Sequence, residues 1–175
     1  EMDRYGLERL PSLLTTTGLA VRAELDPKED PALECMPFGF IRTVLSPYPM
    51  EILPSDRQIT IRYEEWAASR TIYLDGRALP EDEGPNLLGH SVGRYEGSSL
   101  VVETTSISAN IFWPHWSLAY SDQLRTVERY TLAEDGVRLE LELTVEDPVM
   151  FREPWVLYKP RVSTPLDQLH DYDCV

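Results

Sequence analysis

His90 is the side chain in this sequence best suited to proton transfer, because an imidazole titrates near neutral pH. It lies at the start of residues 89–105, GHSVGRYEGSSLVVETT. Gly97 can supply the positive φ of a hairpin turn, so the segment predicts two paired strands. Glu103 falls on the second strand, where its carboxylate could meet the imidazole. The alternative is that His90 hydrogen-bonds a loop carbonyl and fixes the hairpin.

Three further residues on expected strands complete a candidate acid–base set. Glu51 and Glu128 are carboxylates that could replace Glu103 in this role. Tyr73 could orient the transferred proton. Burial inside a barrel raises the pKa of a carboxylate unless an arginine or a tyrosine partners it. Each acid equally fits an exposed or ion-paired side chain, so both interpretations stand.

Aromatic side chains form a second candidate site, for binding rather than catalysis. Residues 111–116, IFWPHW, gather large side chains around a proline without strand alternation. Such a loop can be the entrance to a ligand site or a hydrophobic plug over one end of the fold. The expected ligand-binding residues are Tyr63, Phe112, Trp113, His115 and Trp116.

The sequence contains no recognised motif for binding a metal or a cofactor. The sequence lacks His-Glu-x-x-His, a phosphate-binding glycine loop and a dinucleotide fingerprint. The three histidines are too scattered along the sequence to indicate a zinc site. We therefore expect no metal and no cofactor, so any catalysis would rest on acid and base groups alone.

The charge of the chain argues against two classes of partner. Its net charge is −14, from 30 acids and 16 bases. Nucleic acid and anionic membranes would be repelled, and no basic patch interrupts the acidic balance. No run approaches the roughly 18 apolar residues of a membrane span.

Strand signals from Arg42 onward predict an all-β fold. Residues 58–64 and 137–145 alternate between apolar and polar side chains, as half-buried strands do. Short strands separated by glycine-containing turns favour an antiparallel sheet closed into a barrel of about eight strands. A flattened sandwich is the alternative. Residues 1–34 differ, and we expect an irregular or short-helical N-terminal arm on a single domain, 1–175.

Residues 89–105 resemble a motif of a family of exported bacterial proteins, mostly of unknown function: Gly-His-Ser-x-Gly-x-aromatic-Glu-Gly-x-x-Leu-Val-Val-x-Thr. Further segments that fit the family pattern are 47–51, 72–77, 128–130 and 146–148. The resemblance covers roughly residues 35–174. It implies a lipocalin-like β-barrel and export to the periplasm or beyond, with a signal peptide not visible in this sequence. It implies no reaction.

Two cysteines of this chain match the family pattern, and two other features of the sequence differ from it. Cys35 and Cys174 match cysteines of the family, so the resemblance implies a disulfide between them. Two unrelated buried thiols are the alternative. The family is more polar in the loop 111–116, and it has a histidine where this chain has Tyr120.

Two functions from different classes follow. The first is a cofactor-independent lyase, isomerase or cyclase that acts on a small hydrophobic molecule inside the barrel. The second is an exported, lipocalin-like carrier or sensor that binds such a molecule without changing it. An enzyme requires titratable groups that converge, whereas a carrier requires an apolar wall with one or two orienting polar groups. Self-association into a homo-oligomer stays open.

Overall fold

The computed structural model describes residues 9–80, 83–113, 118–165, 168–170 and 174. The protein is mostly β, with 42% strand and 20% helix, and its main unit is an eight-stranded sheet curled into a half-barrel. The expectation of a β-rich fold is therefore confirmed. No helix within the described residues has the length and apolar character needed to span a bilayer.

Within the described residues, ten strands carry the fold. They are β1 Met50–Pro54, β2 Gln58–Tyr63, β3 Ser69–Tyr73, β4 His90–Glu96, β5 Ser99–Thr105, β6 Asn110–Trp113, β7 Leu118–Tyr120, β8 Arg125–Leu132, β9 Arg138–Glu146 and β10 Trp155–Val162. The large sheet has the order β1-β2-β3-β4-β5-β8-β9-β10, and β6 and β7 form a separate hairpin.

The sheet differs from the purely antiparallel barrel that the sequence predicts. Strands β3 and β4 run parallel, with Ile72 opposite Ser91 and Tyr73 opposite Val92. The long connection between Tyr73 and His90 carries the chain back along the sheet, as a parallel pair requires. Among the described residues, β1 and β10 are the two edges of the sheet, so the half-barrel is open between them.

In the part of the chain that the structure describes, three short α-helices accompany the sheet: α1 Leu10–Leu13, α2 Thr16–Glu24 and α3 Phe40–Leu45. Single 3₁₀ turns occur at Pro27–Glu29, Pro31–Glu34 and Glu65–Ala67. From residue 9 onward the N-terminal arm is thus short-helical. The hydroxyl of Thr15 accepts a hydrogen bond from the Gly18 amide and caps α2. Leu10 and Leu14 bury their side chains in the common core, which anchors the arm to the sheet.

Helix α3 lies where the sequence predicts strand from Arg42 onward, and that expectation is wrong for residues 42–45. Its residues Phe40, Ile41 and Val44 are almost fully buried and belong to the same core as the inward residues of the sheet. A six-residue helix gains its stability from such packing rather than from its own propensity. The protein therefore fills the face of its own half-barrel with a helix.

Cys35 and Cys174 are joined by a disulfide that spans 139 residues of sequence. The pairing is the one that the family resemblance implies. It ties the segment before α3 to the C-terminal end of the chain. In the chain-entropy model, closing a loop of this size stabilises the fold by about 5 kcal/mol.

Candidate functional site

His90 contacts the loop that precedes its own strand. Its Nδ1 lies 3.1 Å from a carboxylate oxygen of Glu83, and its Nε2 lies 3.1 Å from the side-chain nitrogen of Asn86. The carbonyl oxygen of Gly84 is 3.4 Å from the same Nε2. Both ring nitrogens are thus engaged by the loop. This arrangement is the one expected of a histidine that fixes a loop.

Glu103 is held by two arginines on the outer face of the sheet. It accepts hydrogen bonds of 2.7 Å from Arg94 on β4 and from Arg125 on β8. Those hydrogen bonds hold the pKa of Glu103 below its usual value. The structure brings Glu103 together with these arginines and not with His90.

The arginines of this ion-pair network also flank Val101, a buried residue that lies outside the main core. Arg94 and Arg129 lie directly opposite Val101 on its two neighbouring strands, and both pair with Glu96. Val101 is buried although it does not belong to the core cluster. Arginine side chains can cover an apolar neighbour with their aliphatic stems, so we interpret the network as structural.

Glu51 and Tyr73 lie at the surface, apart from the other candidates. Glu51 forms an exposed ion pair of 3.0 Å with Arg62 on the neighbouring strand. The guanidinium of Arg77 stacks 3.7 Å above the ring of Tyr73 and also pairs with Asp75. The hydrogen bond from Arg77 lowers the pKa of Asp75 to about 2.

Glu128 is the one predicted catalytic residue whose side chain is fully buried, at 0% exposure. Arg70, which reaches from β3, donates from Nη1 to Oε1 at 2.8 Å and from Nη2 to Oε2 at 2.5 Å. Tyr130 lies two residues along β8 on the same face and donates its hydroxyl to Oε2. Both oxygens of the Glu128 carboxylate are therefore in use.

Burial and charge together fix the protonation of this cluster. Burial raises the pKa of Tyr130 well above its usual range, and the negative charge of Glu128 adds to the rise. Burial by itself would lower the pKa of Arg70, but Glu128 more than offsets this and the pKa lies above its ordinary value. Burial also raises the pKa of Tyr63, with Arg70 and Arg161 opposing the rise. Arg70 therefore stays charged and both phenols stay protonated.

Residues 89–93, GHSVG, also fit the Gly-x-Ser-x-Gly pattern of a hydrolase nucleophile elbow. That pattern needs a sharp turn from a strand into a helix, whereas Ser91 lies inside β4. Its hydroxyl is buried and hydrogen-bonded to Thr104 at 2.9 Å. Ser91 therefore contributes to packing between β4 and β5 and is not placed as a nucleophile.

An open groove of about 480 Å³ lies between α2 and the β6–β7 hairpin. Its apolar lining residues are Val21, Pro31, Ala109, Ile111, Ala119, Val149 and Met150. Its polar lining residues are Thr17, Asn110, Tyr120 and Ser121. An apolar wall with a few polar groups is typical of sites for small organic molecules.

The predicted aromatic loop belongs to the hairpin that forms this groove. Ile111, the first residue of the predicted loop, lies on β6 and lines the groove, as does Ala119 on β7. The side chains of Phe112 and Trp113, and the whole of His115 and Trp116, lie outside the described residues. Tyr63 is described, and it lies in the buried cluster beside Arg70 rather than in the groove.

Two residues fix the polar side of the groove. The hydroxyl of Tyr120 packs so closely on Gly39 that a Cβ at residue 39 would lie 2.0 Å from it. Asp147 is buried and accepts hydrogen bonds from the backbone amide and the hydroxyl of Ser121 and from the amides of Val149 and Met150. Asp147 thereby holds the loop before β8 against the loop after β9.

Sequence reasoning named Glu128 and Tyr63 but missed Tyr130 and Arg161 as their neighbours. The alternation of β8 carried a signal, because residues 128 and 130 must share a face of the sheet. No sequence pattern indicates that α2 lies beside β7, so the groove could not be predicted from the sequence. Among the residues that the structure describes, no three His, Cys, Asp or Glu side chains gather as metal ligands would.

Comparison of the chain with models of known protein families, with curated proteins and with solved structures finds no significant match.

Proposed function

We propose that this protein binds a small, largely apolar molecule in the groove between α2 and the β6–β7 hairpin, without changing it chemically. The observation that carries the proposal is the groove itself. Its volume of about 480 Å³ falls within the range of sites for small organic molecules. Thr17 and the side-chain amide nitrogen of Asn110 can orient a polar group of the ligand against the apolar wall, whereas the Ser121 hydroxyl is already bonded to Asp147 and Gln123.

The placement of the predicted catalytic residues supports binding over catalysis. His90 is engaged by its loop, Glu103 by two arginines and Glu51 by Arg62. A general base needs a free lone pair within reach of the proton that it removes. None of these three groups lines the groove.

In this proposal the protein is exported, and its half-barrel is an opened form of the lipocalin-like architecture that the family resemblance implies. The disulfide fits an oxidising compartment. The ligand then lies beside the sheet rather than inside it, because α3 and the core side chains occupy the face of the half-barrel.

A fluorescent apolar probe tests the proposal. N-phenyl-1-naphthylamine should bind the wild-type protein saturably, with an increase in its emission. Ala119→Phe fills the groove and should weaken binding at least about tenfold, which corresponds to about 1.4 kcal/mol. Ala23→Phe, on the exposed opposite side of α2, is the matched control and should bind as the wild type does. Equal binding by Ala119→Phe, with the fold confirmed by circular dichroism, would contradict the proposal.

A cofactor-independent lyase, isomerase or cyclase is the second candidate, favoured by one observation. Glu128, Tyr130 and Arg70 are titratable groups that converge within hydrogen-bond reach of one another. Mass spectrometry of a bound small molecule after long incubation separates the two functions. Unchanged recovery supports binding, whereas conversion that is lost in Glu128→Gln supports the enzyme.

A further inference from the structure

The buried cluster extends from Tyr63 and Arg70, at the adjoining ends of β2 and β3, to Tyr130, two residues from the end of β8. The register of the sheet aligns Tyr95, Leu100, Tyr130 and Leu141 in one row across β4, β5, β8 and β9. Leu132 follows Tyr130 by two residues and so continues the same face toward the end of the sheet. On this face Tyr95 is 64% exposed and Leu132 is 55% exposed. Exposed apolar side chains thus border Tyr130, at one end of the buried cluster.

The cluster contains more buried hydrogen-bond donors than acceptors. Within the described part of the chain, the Tyr63 hydroxyl, the Arg70 Nε and the Arg161 Nε are buried without a well-formed hydrogen bond. Arg70 lies close enough to the Tyr63 oxygen to oppose the rise of its pKa, but a guanidinium only donates, so the Tyr63 proton has no acceptor there. The nearby carboxylate of Glu128 already accepts from Arg70 and Tyr130. A buried donor without an acceptor is costly, so the arrangement calls for an acceptor from outside this set.

The local charge favours an anionic acceptor. Arg70 and Glu128 balance each other, which leaves Lys159 and Arg161 on β10. These two donate to the carbonyl oxygens of Leu45 and of Val44, Ser46 and Tyr48. Neither pairs with a carboxylate among the described residues. This positive surplus is a local exception in a chain whose net charge is −14.

We propose that the half-barrel holds a second site, which binds a small carboxylate with an apolar tail. The carboxylate would accept hydrogen bonds from Tyr63, Arg70 and Arg161, because charge-assisted bonds of this kind are the strong ones. The tail would lie on Tyr95, Leu100 and Leu132 at the open end of the sheet. The site is separate from the groove beside α2, and it stands on different residues.

Calorimetric titration with sodium octanoate tests the site. The wild-type protein should bind one octanoate, and the neutral octanamide should bind at least about fivefold more weakly because it lacks the charge. Tyr63→Phe should weaken octanoate binding to a similar degree. Tyr158→Phe, an exposed tyrosine on β10, is the matched control and should leave it unchanged. Equal octanoate binding by Tyr63→Phe and wild type, or no binding by the wild type, would overturn the proposal.

Two further measurements distinguish the second site from the groove and test whether the Tyr63 hydroxyl is already hydrogen-bonded. Ala119→Phe, which fills the groove, should leave octanoate binding unchanged; loss of binding would assign octanoate to the groove and overturn the second site. Without ligand, Tyr63→Phe should unfold at no lower denaturant concentration than wild type, because the hydroxyl proton that it removes has no acceptor among the described residues. A lower midpoint would mean that the protein already satisfies this hydroxyl, and it would remove the basis of the proposal.

Discussion

Gly89 occupies a position where both the backbone conformation and the space require glycine. Its φ is +66°, and an added Cβ would lie 2.6 Å from the carbonyl oxygen of Thr105 and 2.6 Å from a side-chain carbon of Ile107. Gly93 likewise allows Ile72 to pack against β4. Gly89 and Gly93 of the 89–105 motif therefore have packing roles.

Substitution at Gly89 measures this role. Gly89→Ala should lower the free energy of unfolding by about 3 kcal/mol, because positive-φ strain and overpacking add. Gly97→Ala is a matched control, since its φ of +61° is similar but no atom lies within 4 Å of the added Cβ. The control should lose about 1 kcal/mol from strain alone. Equal losses in the two variants, by urea unfolding, would contradict the packing argument.

Glu65 is a buried acid in the 3₁₀ turn between β2 and β3, and it gives a pH-dependent prediction. Burial raises the pKa of Glu65, although Ser46 and Arg42 oppose the rise. Below its unfolded-state pKa, a carboxyl group whose folded-state pKa is raised is protonated in both states. At such a pH it therefore does not lower the free energy of unfolding. The penalty grows as pH rises through the folded pKa, because the folded state then holds a desolvated charge.

Glu65→Gln should therefore stabilise the protein more at pH 8 than at pH 4. Urea midpoints at the two pH values measure the difference. The exposed Glu153→Gln is the control and should not show it. A Glu65→Gln variant that gains no more at pH 8 than at pH 4 would show that the carboxylate bears no desolvation penalty.

At the scale of elements, strands with clear alternation were predictable and elements set by distant contacts were not. The alternation of residues 137–145 predicts the inward face of β9, and Leu141, Leu143 and Val145 are indeed buried. Val137 is exposed, because it precedes the strand in the turn. The two-residue period decides such a strand locally.

Helix α3 and the parallel β3–β4 pair show why the rest was not predictable. Lys159 and Arg161, more than a hundred residues away, bind the last carbonyl oxygens of α3. A six-residue helix shows too little periodicity to reveal itself, and its partners depend on the complete fold. The path from Tyr73 to His90 likewise depends on tertiary packing. The groove beside α2 depends on the same kind of contact.

The Arg70–Glu128 pair joins β3 to β8 across the curled sheet, so its removal tests the cohesion of the half-barrel. Glu128→Ala should cost about 3–5 kcal/mol of unfolding free energy, because it leaves the buried charge of Arg70 without a partner. Arg70→Met combined with Glu128→Leu should recover most of that loss, since a buried pair is often replaceable by apolar side chains. A double variant as unstable as Glu128→Ala would show a structural role beyond the pairing of charge.

For the whole molecule, the disulfide is the covalent link between the two ends of the fold. Replacing both cysteines, Cys35→Ser with Cys174→Ser, should lower the free energy of unfolding by about 5 kcal/mol in the chain-entropy model. Wild-type protein treated with a reductant should show the same loss in urea unfolding. A loss below about 1 kcal/mol would mean that the packing of α1, α2 and α3 on the sheet holds the ends without the bond.

The central claim is that the groove beside α2 is the ligand site of this protein. The most direct measurement is a two-dimensional NMR titration with N-phenyl-1-naphthylamine, which reports the location of binding residue by residue. The claim predicts that the largest shift changes fall on Val21, Ile111, Ala119 and Val149, with saturation. Changes confined to the half-barrel end around Leu100, or absent from the groove at saturating probe, would contradict it.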